Sequence, residues 1–468
     1  MTTLPTIPTR ADAPATRPQP DALTELAALL PGQVQTSDHP DWDRVRLAWT
    51  RSVDQRPAAV VTVQDAEDVV ATVRWARLHG LSVSVQPVGH GATRAMDQTI
   101  MLRTGALQEV VVDAAARTAR VGAGVRWGTL MTAVEPTGLV ALAGSNPDPS
   151  VVGYTLGGGL SWFSRAHGLA AHSVTAFEIV DEAGEQRRIT AASDPDLFWG
   201  LRGDGGGLGV VTAVEMRLYD APPIVGGRLM WPIEMARPVL RAFTALTADA
   251  PDELTAWAHL FRFPPLPDIP EPIRGGSFVS VDLTYLGSET DANRLLSRMR
   301  QLPALVMDTV GVVPFGQLGG IAMEPVEPMP TRERSALLHE LDEPTIDRLL
   351  DVVGAGRDVP MAVVQVRHLG GALARAVSED GPTGAIEEPY QLFMLGVPVS
   401  AAVGAAIDAG LDAVMRAVGP AASARTFFNF LADVADPTSA FDDASLERLR
   451  TLKRTADPHG VFRAHRPA

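Results

Sequence analysis

His90 stands between Gly89 and Gly91 in QPVGHGATR, directly after the alternating run SVSVQP. An imidazole whose neighbours carry no side-chain bulk can meet a flat ligand closely; the same ring can equally sit hydrogen-bonded in a turn. Three further glycine-rich runs follow: GAGVRWG (122–128), GYTLGGGLSWFSRAHGLA (153–170) and LRGDGGGLGVVT (201–212). Glycine lets backbone amides approach a ligand with no Cβ in the way, and successive amides form anion-binding concavities. Tight turns explain any one such loop. Four in one stretch of short strands and helices point instead to a large phosphate-bearing cofactor wrapped by main chain.

Other chemistries lack their residues. No GxGxxG opens a βαβ unit, and there is no GxxxxGK[ST], GxSxG or HExxH. His167 and His172 are five apart, which splits them around a helix, so no metal site is expected. The chain has no cysteine, which excludes disulfides, thiol nucleophiles and thiolate metal sites. A formal charge of −15 over 468 residues, with no Lys/Arg cluster, argues against nucleic acid or an anionic membrane as partner. No segment reaches the roughly 18 apolar residues of a membrane span. The Pro-, Thr- and Ala-rich residues 1–20 lack the apolar core of a secretory signal and read as a disordered tail, giving a cytoplasmic expectation.

The elements that must position these residues fall into three zones. In the first, residues 21–220, AVVTVQ, the helix DAEDVVATVRWARLHG and SVSVQP make a βαβ unit, followed by strands EVVVD and TARVG and a helix over about 126–136. Asp194 and Pro195 open a helix in DPDLFWGLRG, and VTAVEMRLY alternates with Val214, Met216 and Leu218 on one face. The second zone, residues 221–423, joins strand-like runs by proline-rich connections. WAHLFRF, SFVSVDLTYL, MAVVQVRHL and YQLFML predict a four-stranded sheet with helices near 291–302 and 343–353. The third, residues 424–468, reverts to short pieces and is expected to return to the first. The fold class is α+β.

The run from about Arg56 to Tyr219 resembles the flavin-binding domain of the vanillyl-alcohol oxidase superfamily, in the branch of berberine-bridge-enzyme-like and bacterial hydroxynicotine oxidases. GYTLGGGLSWFSRAHGLAAHSV and DPDLFWGLRGDGGGLGVVT carry that likeness, with FFNF and DPHGVFR near the C-terminus. The resemblance implies a two-domain flavoprotein. A split FAD-binding domain of the PCMH type flanks a substrate domain built on an antiparallel sheet with helices. It implies FAD attached covalently through His90. Around it would lie Val88, Gly89, Gly91, Ala92, Asn146, Pro147, Ser150, Gly153, Tyr154, Gly157, Gly158, Gly159, Ser161, Gly209, Val210, Val211 and Asn429. Asn146 stands where many relatives carry a second, cysteinyl tether, so His90 is the one tether expected. Pro149 lies near the position that helps decide whether oxygen reaches the reduced flavin.

The implied reaction is hydride transfer from an alcohol or amine C–H of a small to medium, secondary-metabolite-like substrate to flavin N5, with molecular oxygen as acceptor. Phe427 replaces the tyrosine that relatives often place in a YxN motif, and Asn429 remains as a positioning residue. A base must then come mostly from the second zone. Tyr390 and His368 are put forward. Alternation puts Gln365 with Arg367, His259 with Phe261, and Tyr390 with Leu392, each pair on one face of its strand. A dehydrogenase in place of an oxidase, a redox-neutral flavin cyclase or isomerase, and a non-catalytic protein of the same fold stay open. Composition is silent on the oligomeric state.

Overall fold

Asp65 opens the helix Ala66–His79 by accepting from the backbone N–H groups of Glu67 and Asp68, and Gly80 closes it. Its apolar stripe, including Val69, Val73 and Trp75, packs on the strands it connects. Ala59–Thr62 and Val83–Val85 both pair in parallel with Ile100–Arg103, so the expected βαβ unit is present. Val34–Gln35 completes a four-stranded sheet on the other side of Ala59–Thr62. The computed structural model describes residues 20–267, 269–376, 380–432 and 435–466. The tail expected at residues 1–20 lies, apart from Pro20, outside the described residues.

A second sheet holds five antiparallel strands in the order Val110–Asp113, Thr118–Gly122, Val210–Arg217, Val174–Val180, Gln186–Ile189. The alternation of VTAVEMRLY is realised in the central strand, where Val214 and Met216 are buried and Arg217 is exposed. Pro195–Leu201 is a helix capped by the Asp194 side chain.

The third sheet is larger than the expected four strands. Leu254–Arg262, Ser277–Leu286, Val363–His368 and Tyr390–Gly396 are there, joined by Ile224–Pro232, Arg332–Leu338 and two short pieces into eight. Ile224–Pro232 was hidden by its central Gly226–Gly227, and Arg332–Leu338 by charged residues beside a proline-rich stretch, both of which depress strand propensity. The helices Glu289–Arg300 and Glu343–Val353 fall where expected. Ala236–Ala248 and Ala401–Val418 are additional, the latter carrying internal Gly404 and Gly410.

Strand alternation divides this sheet sharply. Leu254, Ala256, Ala258 and Leu260 join Val364, Val366, Leu392 and Met394 in one apolar cluster with the helices. The opposite face presents Trp257, His259, Asp282, Gln365, Arg367 and Gln391, which are register neighbours on adjacent strands. That polar face meets the glycine-rich segment of the first zone. Trp257 stacks on Trp162 at 3.6 Å, and Thr284 donates to the Trp162 carbonyl.

The C-terminal residues run back to the first sheet. The Val83 N–H donates to Val461 O, the Arg463 N–H donates to Val83 O, and His465 Nε2 donates to Val85 O at 2.9 Å. The helix Asp443–Ala456 packs against Pro195–Leu201.

Candidate functional site

The loop after strand Val83–Val85 brings His90 to the surface of the first sheet. Gly89 adopts φ 97°, and a Cβ there would lie 2.8 Å from Ala48 Cβ, so backbone conformation and space both require glycine. The main-chain N–H groups of residues 88–92 make no hydrogen bond of ordinary geometry to a described residue, while Val88 O and Gly89 O accept from Trp49 and Thr50. The loop thus turns its carbonyls inward and leaves a run of donors, which suits an anionic ligand.

The His90 ring lies against Trp49, with centroids 4.2 Å apart and planes 20° from parallel. Its Nε2 is 2.8 Å from Asp148 Oδ2. Asp148 is buried and its other oxygen accepts from Arg126. Of the two neutral tautomers, a carboxylate at Nε2 selects the one protonated there, which keeps its lone pair on Nδ1. Asp148 is set in turn by Asn146, whose Oδ1 accepts from the Asp148 N–H at 2.8 Å while its Nδ2 donates to Pro325 O at 3.0 Å. Asp148, Arg126 and Trp49 were not singled out in the sequence. They lie 58, 36 and 41 positions from His90, so no local motif couples them.

Pro147 and Ser150 belong to this segment. Pro147 O accepts from Gly128 N, and Ser150 Oγ caps Val151–Leu156 by accepting from Gly153 N. Tyr154 donates to Leu142 O, and burial pushes its phenol well above the usual range. Ser161 Oγ donates to Ala143 O at 2.7 Å.

Asn429 reaches the glycine run from the C-terminal segment. Its Oδ1 accepts from Gly159 N at 2.7 Å and its Nδ2 donates to Tyr154 O at 3.0 Å. Gly159 has φ 78°, and a Cβ would lie 2.5 Å from Tyr154 Cε1. Gly157 would put a Cβ 2.5 Å from Asn429 Nδ2. Asn429 therefore fixes a bend that only this sequence of small residues can make. Gly158 faces Phe427, which is buried in an apolar cluster with Leu160 and Leu169. Gly209, Val210 and Val211 sit at the start of the central strand of the five-stranded sheet, with Gly209 close to Ile179.

Tyr390 and His368 are placed elsewhere. They are register partners on the helix-covered face of the eight-stranded sheet. The Tyr390 hydroxyl is 2.8 Å from Thr247 Oγ1 on helix Ala236–Ala248. Burial, with Arg165 nearby, lowers His368 to about 3. Alternation turns both side chains away from the polar face, so the structure does not bring them to Asn429.

What it does bring there is the other parity of the same strands. Arg228 binds Asp282 through two 2.6 Å bonds, and Arg367 Nε donates to Gln365 Oε1 at 2.5 Å. Gln365 Nε2 contacts His259 Nε2, and burial lowers His259 to about 4, so its ring is neutral and accepts. The Arg367 guanidinium lies over Trp257 at 4.1 Å and over Phe430, beside Asn429, at 4.6 Å. Ser145 and Glu324 join the two regions through a 2.8 Å bond, next to the Asn146–Pro325 contact.

Backbone donors at residues 88–92 without a partner of ordinary geometry among the described residues, and a glycine bend with no room for side chains, fit a large planar cofactor with a phosphate-bearing tail. Among the described residues no group of three His, Asp or Glu side chains could hold a metal, and no helix is long and apolar enough to cross a membrane.

Comparison with known proteins agrees in kind. Residues 57–190 match the FAD binding domain. The chain is 28% identical to (R)-6-hydroxynicotine oxidase of Paenarthrobacter nicotinovorans over 296 residues, 63% of each chain. Its structure is similar to that of 6-hydroxy-D-nicotine oxidase from Arthrobacter nicotinovorans, with a TM-score of 0.80 at 22% identity over 94% of this chain and 98% of the other. It is also similar to berberine bridge enzyme from Eschscholzia californica, with a TM-score of 0.80 at 17% identity over 95% and 98%. The alignments span from about two fifths to under two thirds of the length of the first curated relatives. The protein thus carries an FAD binding domain and shares the fold of these two structures.

Proposed function

We propose that this chain is an FAD-dependent oxidoreductase that oxidises an alcohol or amine C–H of a small molecule and passes the electrons to oxygen. The observation that carries the reading is the coincidence, inside the segment matching an FAD binding domain, of a glycine-flanked histidine held by a buried carboxylate with a run of backbone donors that have no partner of ordinary geometry among the described residues. In this reading residues 21–220 and 424–468 bind the flavin, residues 221–423 receive the substrate, and FAD is attached through His90.

The residues divide the work. The backbone donors at 88–92 receive the phosphates. Asp148 holds the His90 imidazole in the tautomer with its lone pair on Nδ1, and Asn429 fixes the 157–159 bend against which the ring system lies. When bound, FAD supplies the hydride acceptor. The sheet face carrying Trp257, Gln365 and Arg367 orients substrate over the cofactor and excludes water, since each of those side chains is buried. Phe427 offers no hydroxyl, so the proton of the oxidised group leaves through another residue or through solvent.

The test is anaerobic mixing of the yellow protein with panels of alcohols and amines. Loss of the flavin colour, restored by air, supports the reading. Turnover without bleaching would replace it with a redox-neutral reaction.

A further inference from the structure

Among the described residues, the polar face of the eight-stranded sheet holds a cation whose charge is not matched at contact distance. Arg228 on the same face is matched by Asp282. Arg367 has no ion pair among the described residues; its one hydrogen bond there, through Nε, goes to a neutral amide. Glu324 acts on it only at longer range and is bonded to Ser145. Even so, Arg367 is only 4% exposed. Removing a guanidinium from water without a counter-charge is strongly unfavourable, so a buried unmatched arginine needs an explanation.

Its surroundings orient it. The Arg367–Gln365–His259 chain fixes the Nε edge, because Gln365 accepts from Arg367 and presents its amide nitrogen to the neutral histidine. Trp257 and Phe430 cover the guanidinium faces. The two terminal nitrogens are left as a planar donor pair, the geometry that matches a carboxylate fork to fork. Beside them, in register with Arg367, Gln391 is 1% exposed and both its amide atoms lack a partner among the described residues. Asn429 precedes Phe430, so this box adjoins the bend assigned to the flavin.

We propose that the substrate bears a carboxylate, received by the terminal nitrogens of Arg367 between Trp257 and Phe430 with Gln391 alongside. This rests on the flavin reading for its place in a reaction and adds the substrate's class: an apolar or aromatic carboxylic acid carrying the oxidisable C–H. Arg367 is then a specificity-determining residue.

The experiment titrates purified holoprotein with benzoate, phenylacetate and 3-phenylpropionate and with the three matching amides, following tryptophan fluorescence, for which the stacked Trp162–Trp257 pair is the reporter. At least one acid should bind about tenfold or more tightly than its amide, the scale of a charge-assisted bidentate contact. Arg367→Gln should abolish that preference, and Arg367→Lys, which keeps the charge without the fork, should retain part of it. Thermal unfolding identifies a variant that fails to fold, in which case Arg367→Lys alone decides: a preference unchanged from wild type overturns the proposal, as does the absence of any acid-over-amide preference in the wild type. Visible absorbance on the same samples separates the two readings. A colourless protein that prefers acids loses the flavin and keeps the carboxylate site; a yellow one without the preference does the reverse.

Discussion

His90 meets two neighbours of different kinds, an indole face and a buried carboxylate. Asp148 can only accept, so the imidazole donates through Nε2 and keeps its lone pair on Nδ1. The amide of an Asp148→Asn variant would satisfy either tautomer. Attachment of flavin should then become slow and incomplete, and the fraction of colour surviving acid precipitation should drop several-fold while native absorbance persists. Full retention would show that Asp148 does not set the tautomer. His90 was singled out by the resemblance, since its flanking glycines alone left a hydrogen-bonded turn equally open; Asp148 and Trp49 were not, because folding alone brings them within reach. In the second zone, period-2 alternation paired Gln365 with Arg367 and His259 with Phe261, as the sheet has them, but did not say which parity lies opposite the glycine-rich segment. Tyr390 and His368 were favoured for their chemistry and fell on the helix-covered side.

At the scale of elements, the eight-stranded sheet is two surfaces with opposite demands. Its helix side is closed by Leu, Val and Met from every long strand. The polar side is held flat by the Arg228–Asp282 pair, which joins adjacent strands and is buried at 5% and 0% side-chain exposure. Removing one member of such a pair strands the other in a dry interior, at a cost of about 3–5 kcal/mol. Asp282→Ala should lower the urea midpoint accordingly, and a loss below about 1 kcal/mol would show that Arg228 finds another partner. The sheet itself was half legible. Four strands announce themselves by alternation, whereas Ile224–Pro232 and Arg332–Leu338 become strands only because neighbours offer them a ladder.

The whole molecule is closed by its C-terminus, and that closure makes it sensitive to acid. His465 donates to Val85, its carbonyl accepts from Thr93 next to the His90 loop, and burial lowers it to about 4. Burial likewise lowers His172 and His259 to about 4 and His368 to about 3. Their ordinary value is 6.5, so between pH 6.5 and about 4 the unfolded chain binds more protons than the native one, and stability falls as pH falls through that window. Asp204 opposes this. Burial raises it to about 6 from 3.8, so its own contribution favours the native state as pH drops from about 6 towards 4. The histidines outnumber it and decide the sign: the unfolding temperature should decrease steadily from about pH 7 to about pH 5, and a flat or rising profile would mean that these histidines are not buried neutral.

In the flavin reading, FAD lies in the glycine cradle, tethered by His90. Protein expressed with ample riboflavin is purified, its visible spectrum recorded, and the sample precipitated with acid alongside a His90→Ala variant. Wild type should be yellow with the colour in the pellet, and the variant should release whatever colour it holds. Colourless native protein, or a wild-type pellet that washes white, would contradict it.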